Sequence, residues 1–230
     1  MEQLPLGVRL RDSARFENFV IGRNDEAFRA LAARAAPRIV WLWGRTGTGK
    51  THLLQGACAD TAGRGGSATY VDFADAARPA WLDGCETLDL VCLDGLEFVA
   101  GDPDWNAAIF RLHTLMQEGA GCLCVASEPP PSAVDFRLPD LGSRLRAAAV
   151  YQLHELDDSG RSEALQRRAA MRGLDLSADA ALYLVHHLPR DMHSLFAALD
   201  RLDQAALAAR RRLTVPFLRQ ALEDQASGRP

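Results

Sequence analysis

Residues Gly44-Arg45-Thr46-Gly47-Thr48-Gly49-Lys50-Thr51 satisfy the spacing G-x-x-x-x-G-K-[ST] at every position. No other feature of the chain constrains its fold as tightly. The glycines let successive backbone amides turn inward around a phosphate group, and the helix that follows adds the partial positive charge of its N-terminus. The motif therefore has to sit between a strand and a helix. Ile39-Val40-Trp41-Leu42-Trp43 is a short apolar run of β-forming residues before it, and Thr51 to Ala62 carries helical spacing after it. Lys50 supplies a compact, mobile charge for the β- and γ-phosphates, and the Thr51 hydroxyl oxygen suits Mg²⁺. The ligand expected here is a nucleotide with its magnesium ion.

The rest of the chain reads as the fold such a loop requires. Ala27, Phe28, Leu31 and Ala35 recur at helical spacing between Asp25 and Ala36. Further strands are expected at 68–73, 88–93, 121–127 and 150–153, with a helix at 107–118 between the third and fourth. These strands are mainly apolar rather than alternating in polarity, the signature of a parallel sheet covered on both faces. After residue 156 strand patterns stop. Helices are expected at 162–172, 178–187 and 190–211, and Thr214-Val215-Pro216 reads as the start of another. The expected organisation is an N-terminal arm (1–15), an α/β nucleotide-binding domain (16–156) with a five-stranded parallel sheet, and a small all-α domain (157–230).

Asp94 closes the apolar strand Leu90 to Leu93, the position of a carboxylate that holds the nucleotide's magnesium ion. Many ATPases of this architecture place a second acid directly after it, to polarise the attacking water. Here Gly95 and Leu96 follow, and Glu97 is three residues on. Nucleotide binding with weak or no intrinsic hydrolysis is the expectation.

Composition removes several classes. The formal net charge is −4, from 26 basic and 30 acidic residues, which is not the footprint of an autonomous nucleic-acid binder. No apolar run approaches the roughly 20 residues that span a bilayer. The start, Met1-Glu2-Gln3-Leu4-Pro5-Leu6, lacks a secretion signal's basic-then-apolar pattern. A cytoplasmic protein is expected. Five cysteines without a Cys-x-x-Cys pair favour neither disulfides nor zinc. His186-His187 has no spaced metal-binding partner and reads as structural, and Arg210-Arg211-Arg212 reads as a solvated helix end complementing the dipole. Of the 26 basic residues only Lys50 is a lysine.

Several motifs in one order resemble the AAA+ proteins of the bacterial replication initiator DnaA. Phe16 to Asn24 resembles that family's N-terminal nucleotide-binding segment, which implies that Val20, Ile21 and Gly22 line an adenine. The phosphate loop runs on into His52-Leu53-Leu54, as in the family, placing His52 in the cofactor set. Ser127-Glu128-Pro129-Pro130 resembles the sensor 1 element, implying that Ser127 points toward the γ-phosphate. Leu141-Gly142-Ser143-Arg144-Leu145 resembles the segment that bears an arginine finger acting in trans, making Arg144 that residue. Leu188-Pro189-Arg190-Asp191-Met192 resembles the sensor 2 start of a lid helix, placing Arg190 over the phosphates.

The initiators continue into a helix-turn-helix domain, whereas this chain closes at Pro230. That shorter form is similar to the Hda family, DnaA homologues that switch the initiator off. Gln3-Leu4-Pro5-Leu6 resembles that family's sliding-clamp motif, with Gln3 for a polar subsite and Leu4 and Leu6 for an apolar pocket. The resemblance implies ADP or ATP with Mg²⁺ as ligands, DnaA and the DNA polymerase III sliding clamp as partners, DNA reached indirectly through the clamp, and possible self-association. A DnaA-like ATPase or loader, or a DNA-bound recruitment factor working by its own ATP cycle, stays open as the alternative.

Overall fold

The computed structural model describes residues 14–33, 38–75, 78–209 and 213–226. The arm with Gln3, Leu4 and Leu6, the end of the first expected helix and Arg210 to Arg212 lie outside the described residues. Contacts divide the chain into a first unit ending at His154 and a second beginning at Glu155.

In the first unit five strands, β1 (Ile39–Trp43), β2 (Ala68–Asp72), β3 (Leu90–Asp94), β4 (Cys122–Ser127) and β5 (Ala149–Gln152), form one sheet in the order β2-β3-β4-β1-β5. All pairings are parallel. Helices α1 (Asp25–Ala32), α2 (Lys50–Gly63), α3 (Pro103–Glu118) and α4 (Pro139–Arg146) flank it. Strand alternation divides β1 between two cores. Trp41 packs with Ile109, Leu112, Phe136 and Leu141 on one face, while Val40 and Leu42 pack with Leu53, Leu54 and Ala57 on the other. Because every strand runs the same way, all C-terminal ends share one edge. Trp43 pairs with Ser127 there, and Asp72 with Asp94. The phosphate loop leaves β1 at that edge.

Two helices begin one turn earlier than their apolar spacing indicated. The Asp102 side chain accepts from the amides of Asp104 and Trp105, with Pro103 in the first turn of α3. Asp157 accepts from Gly160 at the start of α5 (Asp158–Met171). A polar first turn carries no apolar period, so only the cap marks it. Helix α4 was not among the expected elements, being too short at 8 residues to show periodicity.

The second unit holds α5, α6 (Ala178–His187), α7 (Met192–Ala209) and α8 (Val215–Ala226) around Leu165, Leu184, Leu195, Leu199 and Leu218. Arg168 of α5 and Arg172, the residue after that helix, reach Asp200 of α7 at 3.2 and 2.7 Å. The expected start of α7 at Arg190 is corrected to Met192. The Ser194 amide donates to Asp191 Oδ1 at 2.8 Å, so Asp191 caps the helix and Arg190 stands outside it. No helix among the described residues is long and apolar enough to cross a membrane.

Candidate nucleotide site

The loop from Gly44 to Gly49 leads directly into α2. Gly49 has φ +99°, and a Cβ there would lie 2.8 Å from the Phe19 ring, so only glycine fits both conformation and neighbour. Lys50 folds back over the loop, its Nζ donating to Gly44 O at 2.5 Å and Arg45 O at 3.1 Å. Thr48 Oγ1 also donates to Arg45 O. Burial pulls the Lys50 pKa below its ordinary value, opposed by the charges of Asp94, Glu128 and Glu97.

Thr51 Oγ1 donates to Asp94 Oδ2 at 2.6 Å. With its proton committed to the carboxylate, the hydroxyl keeps its lone pairs for a cation. One hydroxyl and one carboxylate are the hard oxygen donors that Mg²⁺ takes, and the ion keeps several waters and phosphate oxygens for its remaining positions. Among the described residues there is no group of three or more His, Cys, Asp or Glu that could hold a metal. Thr51 and Asp94 fit an ion that takes its remaining oxygens from water and a nucleotide's phosphates. Asp94 Oδ2 takes a second proton from the Tyr70 phenol at 2.9 Å. Spacing did not indicate Tyr70, which reads from sequence as an aromatic in a buried strand.

Gly95 turns the chain sharply after β3, at φ +81°, where a Cβ would meet Phe98 Cδ2 at 2.6 Å. A glutamate at 95 would be strained and obstructed. The 3-10 turn Leu96–Phe98 then brings Glu97 back, so that Glu97 Oε1 accepts the Glu128 amide at 3.0 Å. Glu128 Oε2 in turn accepts the Thr46 hydroxyl at 2.9 Å. This is the different backbone path that Glu97 needs to approach the loop.

Ser127 and His52 turn inward. Ser127, fully buried, donates to Pro129 O at 2.7 Å and accepts Trp41 Nε1–H at 2.8 Å. Its proton is spent within the protein, and it fixes the loop after β4 rather than presenting a donor. His52 Nε2 lies 2.9 Å from Arg15 O and 2.8 Å from Asn18 Oδ1, with the Phe19 ring edge-on at 5.4 Å. It ties the 3-10 turn Phe16–Asn18 to the helix after the phosphate loop. Phe19 stacks on Phe28, and Val20 is buried, with Ile21 half-buried and Gly22 in a turn. Asn24 anchors this segment to the sheet. Its side chain accepts from His154 N at 2.7 Å and donates to His154 O at 3.0 Å. That clamp explains why Asn24 forms no side-chain cap on α1.

Arg144 lies in the last turn of α4, exposed. Its guanidinium carbon sits 4.6 Å from the Phe110 ring centroid, and Nη1 donates to Thr114 at 3.4 Å. Arg190, in the second unit, approaches Asp158 at 3.6 Å and is 67 % exposed. His187 stacks on Tyr183, and His186 lies 3.9 Å from Asp158.

Two results are expected from this chemistry. Outside the N-terminus Lys50 is the only amine in the chain, and its lowered pKa leaves more of it in the reactive neutral form. An amine-directed reagent should modify Lys50 alone, and ADP should protect it, as mass mapping of the labelled chain would read. His52 and His113 are both held below the ordinary histidine value of 6.5 by burial, with Arg144 lowering His113 further. Below about pH 6.5 the unfolded chain takes up protons that the folded one refuses, so this stability is full above that pH and falls as pH drops. Urea midpoints should therefore fall from pH 7.5 to 5.5. The fall should shrink in the double variant His52→Gln, His113→Gln.

The sheet order, the phosphate loop after an interior strand and the separate helical unit define an AAA+ protein, an α/β domain with a helical lid. Residues 158–222 match the family model of the Hda lid domain, and the fold is shared with solved structures of DnaA. Domain III of the Thermotoga maritima replication initiation protein DnaA superposes with a TM-score of 0.78 at 17% identity, covering 93% of this chain and 97% of that one. AMPPCP-bound DnaA from Aquifex aeolicus gives 0.70 at 20% identity over 85% of this chain, which spans 66% of that initiator. The RuvB Holliday junction branch migration motor of Thermotoga maritima gives 0.65 at 13% identity, covering 86% of this chain and 66% of that one.

Proposed function

We propose that this chain is a regulatory adaptor that carries its own nucleotide and drives hydrolysis in another protein's site. It holds ADP or ATP with Mg²⁺ on the 44–51 loop, Thr51 and Asp94, against Val20, Ile21 and Gly22, with Arg190 as the lid contribution. It docks on the ATP-loaded initiator DnaA and offers Arg144 to the transferring phosphate. Gln3, Leu4 and Leu6 attach it to the sliding clamp, which raises its effective concentration at DNA.

The observation that carries this reading is Gly95. A complete phosphate loop is followed by a glycine in a left-handed conformation, φ +81°, that disfavours an acid directly after Asp94, which supports a site suited to holding nucleotide more than to turning it over. The Hda lid match supports the initiator as partner, and AMPPCP in a DnaA of this fold supports the ligand.

The test is a reconstitution with ATP-loaded DnaA, DNA-loaded clamp and this chain, each omitted in turn. ATP hydrolysis should require all three. Undiminished hydrolysis without this chain would overturn the reading, and brisk hydrolysis by this chain alone would favour a loader with its own ATP cycle. Replacing Gln3 and Leu4 with alanine should weaken clamp binding.

A further inference from the structure

The hydrogen bonds on Asp94 join a buried group, Gln55, Tyr70 and Asp94, to the exposed Thr51. Helix α2 contributes Thr51 and, one turn on, Gln55 on the same face. Strand β2 contributes Tyr70 and β3 contributes Asp94. Gln55, Tyr70 and Asp94 are 4%, 7% and 7% exposed. The Gln55 side chain donates to the Tyr70 oxygen, the phenol donates to Asp94 Oδ2 at 2.9 Å, and Thr51 donates to the same oxygen at 2.6 Å.

We propose that Tyr70 is a positioning residue for the nucleotide's magnesium ion, holding Asp94 so that the ion finds its carboxylate already oriented. This rests on the nucleotide site proposed above. Without the phenol, only the Thr51 hydroxyl would fix the carboxylate, and that hydroxyl is itself a ligand for the ion. Tyr70 separates the two tasks: it orients Asp94 through Oδ2, leaving the other carboxylate oxygen for the hydration shell. Gln55 fixes the direction of the phenol. Groups that orient metal ligands in this way change metal affinity by about 10- to 100-fold when removed.

Tyr70→Phe keeps the ring and removes only the donor. Binding of a fluorescent ADP derivative is followed in EDTA and across a Mg²⁺ titration. The EDTA arm reads the phosphate loop, and the Mg²⁺ midpoint reads Asp94. The expected result is a Mg²⁺ midpoint raised about 10-fold or more, with affinity in EDTA changed far less. An unchanged midpoint overturns the proposal, because a phenol that only satisfies its own burial would alter stability and leave the Mg²⁺ midpoint in place. Gln55→Leu, which keeps the phenol and removes its orienting donor, should raise the midpoint by a smaller factor. If Tyr70→Phe does not fold, an unshifted midpoint in Gln55→Leu overturns the proposal. A wild-type chain that binds no ADP in either arm overturns the nucleotide reading beneath it.

Discussion

In the reconstitution that tests the proposed adaptor role, Arg144→Ala should lower the hydrolysis of initiator-bound ATP by about 10³-fold or more, the scale of arginine fingers in well-studied systems. Arginine suits the task because its charge is permanent and its planar fork meets phosphate oxygens in two directions. The resting position of Arg144 over Phe110 does not oppose this. An exposed cation–π contact is worth about 0.5–1 kcal/mol, whereas a 10³-fold rate effect corresponds to about 4 kcal/mol. Releasing the guanidinium costs a fraction of what its new contact supplies. The 3.4 Å bond to Thr114 is long and adds little. Nucleotide and clamp binding by the variant are the controls, and an Arg144→Ala chain that keeps both and still stimulates normally would remove Arg144 from the mechanism. Arg144→Lys should be nearly as impaired, since an ammonium cannot span two oxygens.

Trp41→Ala should destabilise the first unit by about 3–5 kcal/mol, the usual cost of emptying a large buried aromatic site. Trp41 is fully buried in an interior strand, edge-on to Phe136 at 6.1 Å. Its indole also donates to Ser127 at 2.8 Å, so truncation opens a cavity and removes the brace that ties the end of β4 to β1. Against a total stability of about 5–15 kcal/mol, the loss is a large share. It should lower the melting temperature by roughly 6–20 °C at 2–4 °C per kcal/mol. All four tryptophans, Trp41, Trp43, Trp81 and Trp105, precede residue 155, so indole fluorescence reports the first unit alone. Trp41→Phe, which keeps an aromatic ring, should cost far less. Equal losses in the two variants would place the effect in the Ser127 bond rather than in the cavity.

The strands were legible because they are mainly apolar without alternating in polarity, and strand positions expected from sequence fall within two residues of those formed. Helix starts were less legible: Asp102 and Asp157 cap turns that carry no apolar pattern. The phosphate loop, Thr51 and Asp94 were legible because their chemistry depends on residue type at fixed spacing. Ser127 and His52 were not, since a hydroxyl or an imidazole at an expected position says nothing of where its hydrogen bond goes. Trp41 and Pro129 take up the first, and the turn at 15–18 takes up the second.

By itself the sequence determined the parallel sheet, the phosphate loop with its single lysine and the all-helical second unit. Each follows from local pattern: mainly apolar strands, a fixed glycine spacing, and helical periodicity without strands. Only the tertiary structure decided which side chains meet. Tyr70 reaches Asp94, and Gln55 reaches Tyr70, because β2 lies beside β3 and under α2, an adjacency set by strand order. Glu97 returns toward the loop because Gly95 takes a left-handed conformation, φ +81°, that glycine adopts readily. A one-dimensional pattern records periodicity and spacing. It does not record which buried donor lies within 3 Å of which acceptor, because that depends on residues far apart in the chain being packed against one another.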